Sequence, residues 1–281
     1  MKLAHAEGTC AAGKRLRGGS GVLLGCCVGP RELRFVRDAG FDYAELNVKV
    51  TNPSKSDAEW QAIRDELLRN QVPLLAFNRL FPPDMPIVGP AVDMDEIARY
   101  LDVAFARMAD LGGQHVGFGA GKNRRVPDGF PQEEARAQLA QVVRMAGDLA
   151  ARYGMWVHFE FFNRAETNLI NTVEEAVSFV QELGHPRVDL LIDFYHLVQN
   201  GEPVSELHRA RGRIGYVHVA DEERKWPGSG SLPVREWFAA LREIGYQGPI
   251  SIECNFEDPV PELRQAGEAI RRLSYSGGAG R

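Results

Sequence analysis

Four apolar runs in the second half of the chain each end on or near a side chain of the kind that metals bind. They are Trp156-Val157-His158-Phe159-Glu160, Val188-Asp189-Leu190-Leu191-Ile192-Asp193, Ile214-Gly215-Tyr216-Val217-His218 and Ile250-Ser251-Ile252-Glu253. Glu160, Asp193, His218 and Glu253 follow one another at intervals of 33, 25 and 35 residues, close to one strand plus one returning helix. Parallel strands at that interval, set side by side, aim three carboxylates and an imidazole at one point. That donor set suits a hard divalent cation.

The rest of the chain repeats the same alternation. Residues 21–27, 42–48, 72–77 and 114–118 read as four earlier strands, giving eight in all. Helical patterns lie between them. Ser56-Asp57-Ala58-Glu59 has the form of a capping box ahead of Trp60, Ile63, Leu67 and Leu68, and Thr172-Val173-Glu174-Glu175 repeats it before a run that stops at Gly184. Asp93 is placed to cap a helix through Ile97, Leu101, Phe105 and Met108. Strands apolar on both faces and alternating with helices imply a parallel sheet covered by helices. Eight repeats in 281 residues fit a single (β/α)8 TIM barrel, which typically needs about 250. The expected organisation is a poorly ordered tail over residues 1–20, the barrel over 21–273 and a second tail over 274–281.

Composition excludes several partners. A net charge of −5 lacks the basic footprint of a nucleic-acid binder, and no apolar run approaches the roughly 20 residues of a membrane helix. Cys10, Cys26, Cys27 and Cys254 show no paired spacing, so they read as reduced thiols of a cytoplasmic protein. Gly117-Phe118-Gly119-Ala120-Gly121-Lys122 resembles a phosphate loop, but its glycines are one residue too close and Asn123 replaces the required Ser or Thr. The neighbouring Arg124-Arg125 pair reads first as part of a solvated loop, with a role facing an anionic group as the alternative.

Barrel chemistry sits on the loops at the carboxyl ends of the strands, where all four candidate ligands fall. Side chains alternate along a strand, so His158 shares a face with Glu160, Leu191 with Asp193, Tyr216 with His218 and Ser251 with Glu253. One strand-end glutamate alone is more often a salt-bridge partner or a rim residue, and one histidine alone a satisfied core residue. Four at consecutive strand ends point elsewhere. Three inward carboxylates repel one another, and a cation resolves the conflict.

Ile192-Asp193-Phe194-Tyr195-His196, Val217-His218-Val219-Ala220-Asp221 and the closing run from Leu241-Arg242-Glu243-Ile244-Gly245-Tyr246 to Glu253 resemble the xylose isomerase-like TIM-barrel family. The likeness is best to ketose 3-epimerases of the tagatose/psicose type and to hydroxypyruvate isomerases. It is clearest from about Val72 onward and excludes the first twenty residues.

That resemblance implies a metal-dependent sugar isomerase or epimerase working through a metal-stabilised enediolate. Glu160, Asp193, His218 and Glu253 match the metal ligands, with Glu160 and Glu253 also the acid/base pair. His196 and Arg224 match groups that hold substrate oxygens, and Glu45 resembles a strand-two acid assigned to the same substrate set. Trp226, Phe77, Phe81 and Phe162 stand where aromatics would wall a sugar, or pack loops. Ligand type favours Mn²⁺ first, then Mg²⁺, with Co²⁺ and Zn²⁺ compatible. The expected partner is a small sugar or keto-polyol, with a homo-oligomeric assembly left open. Three alternatives stand beside this reading: a myo-inosose dehydratase, suggested by Asp221 and Glu222; an endonuclease IV-like hydrolase, which needs more strand-end histidines; and a metal-free barrel relative with a binding role.

Overall fold

Residues 22–275 are described by a computed structural model; the tail expected over residues 1–20 lies outside them. Strands β1 (Leu24–Cys27), β2 (Tyr43–Asn47), β3 (Leu74–Asn78), β4 (His115–Phe118), β5 (Trp156–Glu160), β6 (Val188–Asp193), β7 (Ile214–Val219) and β8 (Ile250–Ile252) are joined in sequence order. Every neighbouring pair is parallel, and β8 pairs back on β1, closing the barrel. Helices α1 (Leu33–Val36), α2 (Asp57–Leu68), α3 (Met94–Asp110), α4 (Gln132–Tyr153), α5 (Val173–Leu183), α6 (Phe194–Gln199), α7 (Val234–Glu243) and α8 (Pro259–Tyr275) make the returns. This is a single (β/α)8 TIM barrel. Its last helix runs to Tyr275, two residues into the expected C-terminal tail, of which residues 276–281 are not described.

The local rules that predicted the helices are visible in their caps. Ser56 and Thr172 each form a complete capping box, with Glu59 and Glu175 reaching back to the cap nitrogen. Asp93 accepts from the backbone nitrogens of Asp95 and Glu96, and α5 stops at Gly184, whose φ of 61° is the left-handed conformation glycine favours. Strand bounds moved where pairing decides them. The register across the β8 seam begins at Leu24, opposite Ile250, and β2 stops at Asn47, whose side chain caps the 3-10 turn Val48–Thr51.

Alternation along the strands splits the apolar side chains into two layers. The outer layer, including Val116, Val157, Phe159, Val217 and Ile252, packs under the helices. Within the barrel lies a separate small cluster of Tyr43, Leu75, Ala76, Leu191 and Tyr216. Gly25 belongs to this inner layer, since a Cβ there would fall inside the Tyr43 ring. Among the described residues no helix is long and apolar enough to cross a membrane.

Candidate metal centre

Glu160 and Asp193 are the last residues of β5 and β6, His218 is the penultimate residue of β7, and Glu253 follows β8 directly. The register sets Asp193 opposite His218, and Val219 opposite Ile252, so the four side chains leave the barrel at nearly one level. One donor atom from each of Glu160, Asp193, His218 and Glu253 lies within 4.8 Å of all the others. His218 Nδ1 is 3.6 Å from Glu253 Oε2 and 4.0 Å from Glu160 Oε1. Asp193 is fully buried, and His218 and Glu160 nearly so.

The donor chemistry fits a divalent cation. His218 Nδ1 is buried without a hydrogen-bond partner, a costly condition for a polar atom unless something outside the chain takes its lone pair. Four carboxylates, Glu45, Glu160, Asp193 and Glu253, gather around His218 and Arg224, with the buried Arg124 guanidinium behind Glu160. Burial, reinforced by Glu253 and Asp193, pushes the Glu160 carboxyl well above its ordinary range. Burial opposes the charged form of His218, yet the Glu45, Glu253 and Glu160 carboxylates outweigh it and hold the imidazole pKa up at about 10. Burial likewise acts to raise Asp193, but Arg224, His196, His218 and the Tyr195 N–H bring it below the usual value. These opposing shifts show a desolvated centre with excess negative charge, which a divalent ion would neutralise.

His196 and Arg224 stand beside the quartet. His196 is fully buried; its Nε2 lies 3.6 Å from Asp193 Oδ2 and 3.8 Å from Glu160 Oε1. Its Nδ1 faces the Asn163 amide nitrogen at 2.9 Å. Asn163 Oδ1 accepts from the Ala165 and Glu166 nitrogens, and its amide also donates to Glu166. That orientation makes Nδ1 the acceptor and leaves Nε2 as the N–H directed into the site. Arg224 donates to Glu253 Oε2 at 2.7 Å and Asp193 Oδ2 at 3.1 Å, over the Tyr195 ring. It reaches there from a strained turn, with φ of 55° at Glu223 and 57° at Arg224. A cleft of about 400 Å³ opens beside Arg224 and Glu253, bordered by Asn47, Lys49, Asn78 and Arg79.

Several sequence expectations change on contact with the structure. Glu45, grouped with the substrate-binding residues, borders the cleft and also has both carboxylate oxygens engaged by the protein, Oε1 with His218 Nε2 at 2.9 Å and Oε2 with the Tyr216 hydroxyl at 2.8 Å. Arg124 is not in a solvated loop. It is fully buried, donates to the Glu160 carbonyl at 2.7 Å and to the Ile170 carbonyl at 3.3 Å, and lies between the Phe159 and Phe162 rings. Asp221, which suggested a dehydratase, accepts from Glu222, Gly228 and Leu232 nitrogens and so serves as the staple of its own loop; Glu222 bonds Ser231. Of the four aromatics, only Phe162 stands against the site, 4.4 Å from the His196 ring. Phe77, Phe81 and Trp226 pack against the outer core. Asn163 and Glu166 carry no mark in the sequence, and Gly119, read there only as part of a phosphate-loop-like run, is where a Cβ would lie 2.8 Å from Glu160 Oε2. No spacing marked them, because each acts across loops.

Comparison with known proteins follows the same line. Residues 33–275 match the family described as the xylose isomerase-like TIM barrel. An L-ribulose 3-epimerase of Methylomonas sp. (strain DH-1) is 37% identical over 127 residues, which is 44% of this chain and 44% of the relative, less than half of its length. An L-ribulose 3-epimerase of Mesorhizobium japonicum is 28% identical over 250 residues, covering 86% of this chain and 80% of the relative. The crystal structure of a D-allulose 3-epimerase from Methylomonas sp. superposes with a TM-score of 0.75 at 22% identity, covering 90% of this chain and 98% of that one; it shares the fold. With a closed eight-stranded parallel barrel and a family match over most of its length, this chain belongs to the xylose isomerase-like TIM barrel family.

Proposed function

We propose that this chain is a divalent-metal-dependent sugar isomerase of the epimerase kind, which moves a proton at the carbon beside a ketose carbonyl. The observation that carries this reading is the convergence of Glu160, Asp193, His218 and Glu253 donor atoms within 4.8 Å, with His218 Nδ1 buried and unpartnered among the carboxylates. The epimerase relatives support the same class of chemistry. Glu160, Asp193, His218 and Glu253 would hold the ion, with Mn²⁺ preferred over Mg²⁺, Co²⁺ and Zn²⁺ for a donor set of oxygen and one imidazole nitrogen. When bound, the ion supplies Lewis acidity that polarises the substrate carbonyl and acidifies the neighbouring C–H.

The chain's own groups do the rest. Glu160 and Glu253 lie at the ends of β5 and just beyond β8, so a substrate seated between them meets a carboxyl group from either side. One removes the proton, giving the enediolate, and the other returns a proton to the opposite face, inverting that carbon. Return to the adjacent carbon would instead give an aldose–ketose isomerisation. His196, held by Asn163 with Nε2–H inward, and Arg224, with its guanidinium over the carboxylates, donate to substrate oxygens and stabilise the charge that develops on them. Phe162 supplies an apolar wall. The nuclease reading loses its footing, because His115 and His158 pair with each other at 2.9 Å and do not extend the centre. The substrate is a small keto-sugar or keto-polyol, and the setting a reducing cytoplasm, in keeping with the free thiols of Cys26, Cys27 and Cys254 among the described residues.

The test is direct. Protein stripped of metal and reloaded with Mn²⁺ is incubated in D₂O with free ketoses, their phosphates and inososes, and deuterium is followed by NMR. Incorporation next to the carbonyl, dependent on Mn²⁺, is expected; exchange indifferent to Mn²⁺, or no exchange on any substrate, would overturn the proposal.

A further inference from the structure

Resting on the metal-centre reading above, we infer that Glu45 is a positioning residue for the ion: it holds the Nε2–H of His218, so that the imidazole presents Nδ1 to the Glu160, Asp193 and Glu253 oxygens. Glu45 sits on β2, 173 residues from His218 in sequence, and is 1% exposed. Its Oε1 meets His218 Nε2 at 2.9 Å. Which atom carries that proton follows from the hydroxyls behind it. Tyr216 donates to Glu45 Oε2 at 2.8 Å, so its single proton is spent there and its oxygen must accept from its other neighbours. Tyr43 lies 2.9 Å from that oxygen, and Ser251 2.8 Å from it and 3.1 Å from Tyr43. Ser251 donates to Tyr43, which leaves the Tyr43 proton for Tyr216, so the hydroxyl protons run in file to Glu45 Oε2, and an ionised Glu45 only accepts. His218 then donates at Nε2, and Nδ1 is the nitrogen whose proton an incoming ion displaces.

The independent observation is the other end of the ring. Nδ1 has no partner in the protein though it is buried, and it lies 3.6 Å from Glu253 and 4.0 Å from Glu160. A ligating histidine commonly gives its far N–H to a carboxylate, which fixes the ring and raises its basicity. Here that carboxylate comes from the opposite side of the barrel, braced by β7 and β8 through Tyr216 and Ser251. The rival arrangement uses the other face, since Cys27, Glu45 and His218 also bring donor atoms within 4.8 Å of one another. An ion there would displace the Nε2–H bond and abandon the unpartnered nitrogen.

Titration of the metal-stripped full-length protein with Mn²⁺ by calorimetry tests the inference. The wild type is expected to bind one ion, Glu45→Gln to bind about 10- to 100-fold more weakly, and Cys27→Ser to bind as the wild type does. Tyr216→Phe keeps the ring and removes one donor to Glu45, so about 3- to 10-fold weaker binding is expected, even should Glu45→Gln fold poorly. Nitrogen-15 NMR of Mg²⁺-loaded protein should show His218 protonated at Nε2 in the wild type and mixed in Glu45→Gln. Unchanged affinity in both Glu45→Gln and Tyr216→Phe, or a loss in Cys27→Ser equal to that in Glu45→Gln, would overturn the inference while leaving a metal centre in place. A wild type that binds no Mn²⁺ would instead overturn the metal reading and this inference with it.

Discussion

Gly119 follows β4 by one residue, and replacing it with alanine isolates the positioning of Glu160 from its chemistry. A Cβ at Gly119 would lie 2.8 Å from Glu160 Oε2, while its next neighbours, the Arg79 nitrogen and the Phe162 ring, are both at an ordinary 3.7 Å. Gly119 does not have a positive φ, so alanine brings no backbone strain. Only the carboxylate must yield, by about 0.6 Å, to restore a normal 3.4 Å contact. A misplacement of about 1 Å can cost roughly 100-fold in rate, so a shift of this size is expected to lower kcat about 15-fold, or about 1.6 kcal/mol of transition-state stabilisation. Fold stability should hardly move, because the displaced atoms are the end of one side chain. The assay pairs kcat and KM for Mn²⁺-loaded Gly119→Ala and wild type with thermal melting of both. Undiminished kcat in a normally folded variant would refute the claim that the Glu160 carboxylate works from this position; equal losses of melting temperature and activity would show that the glycine serves packing instead.

Further expectations follow from the same geometry. Glu160→Gln and Glu253→Gln should each lower turnover by about 10²- to 10⁴-fold, as loss of a required acid/base group does, with circular dichroism unchanged; near-normal turnover in either would remove the two-carboxylate mechanism. His196→Ala should weaken substrate binding and turnover yet retain full metal content by atomic emission, and loss of the metal would move His196 into the ligand set. Burial holds the pKa of His115 down at about 4 and that of His158 well below its ordinary value. Both therefore favour the folded state fully above the unfolded pKa of about 6.5, and that stability is lost as pH falls from there toward 4, by up to about 1.4 kcal/mol per pH unit for each histidine. Urea unfolding from pH 7 to 4 should show this slope reduced in His115→Gln, and an identical slope in the variant would assign the acid sensitivity to other groups.

What could be read from the residues alone was whatever obeys a local period. Apolar runs at strand length, capping boxes at Ser56 and Thr172, and the intervals among Glu160, Asp193, His218 and Glu253 need only neighbours in sequence and the rule that a barrel keeps its chemistry at one end. The family likeness added names to those positions without altering them. Strand ends were less legible, because β1 and β8 stop where a partner strand stops.

Roles set by what lies across the barrel were not open to that reading. Glu45 read as a strand-two acid of the substrate set, and only closure of eight strands brings it against His218 and Tyr216, 173 and 171 residues away. Arg124 looked like a loop charge until the fold carried it beneath β5, where the Glu160 carbonyl and two aromatic rings surround it. Local sequence determines the elements and the level at which their ends fall, since those depend on backbone periodicity. Which buried charge faces which partner depends on contacts between distant strands, and so was decided by tertiary structure.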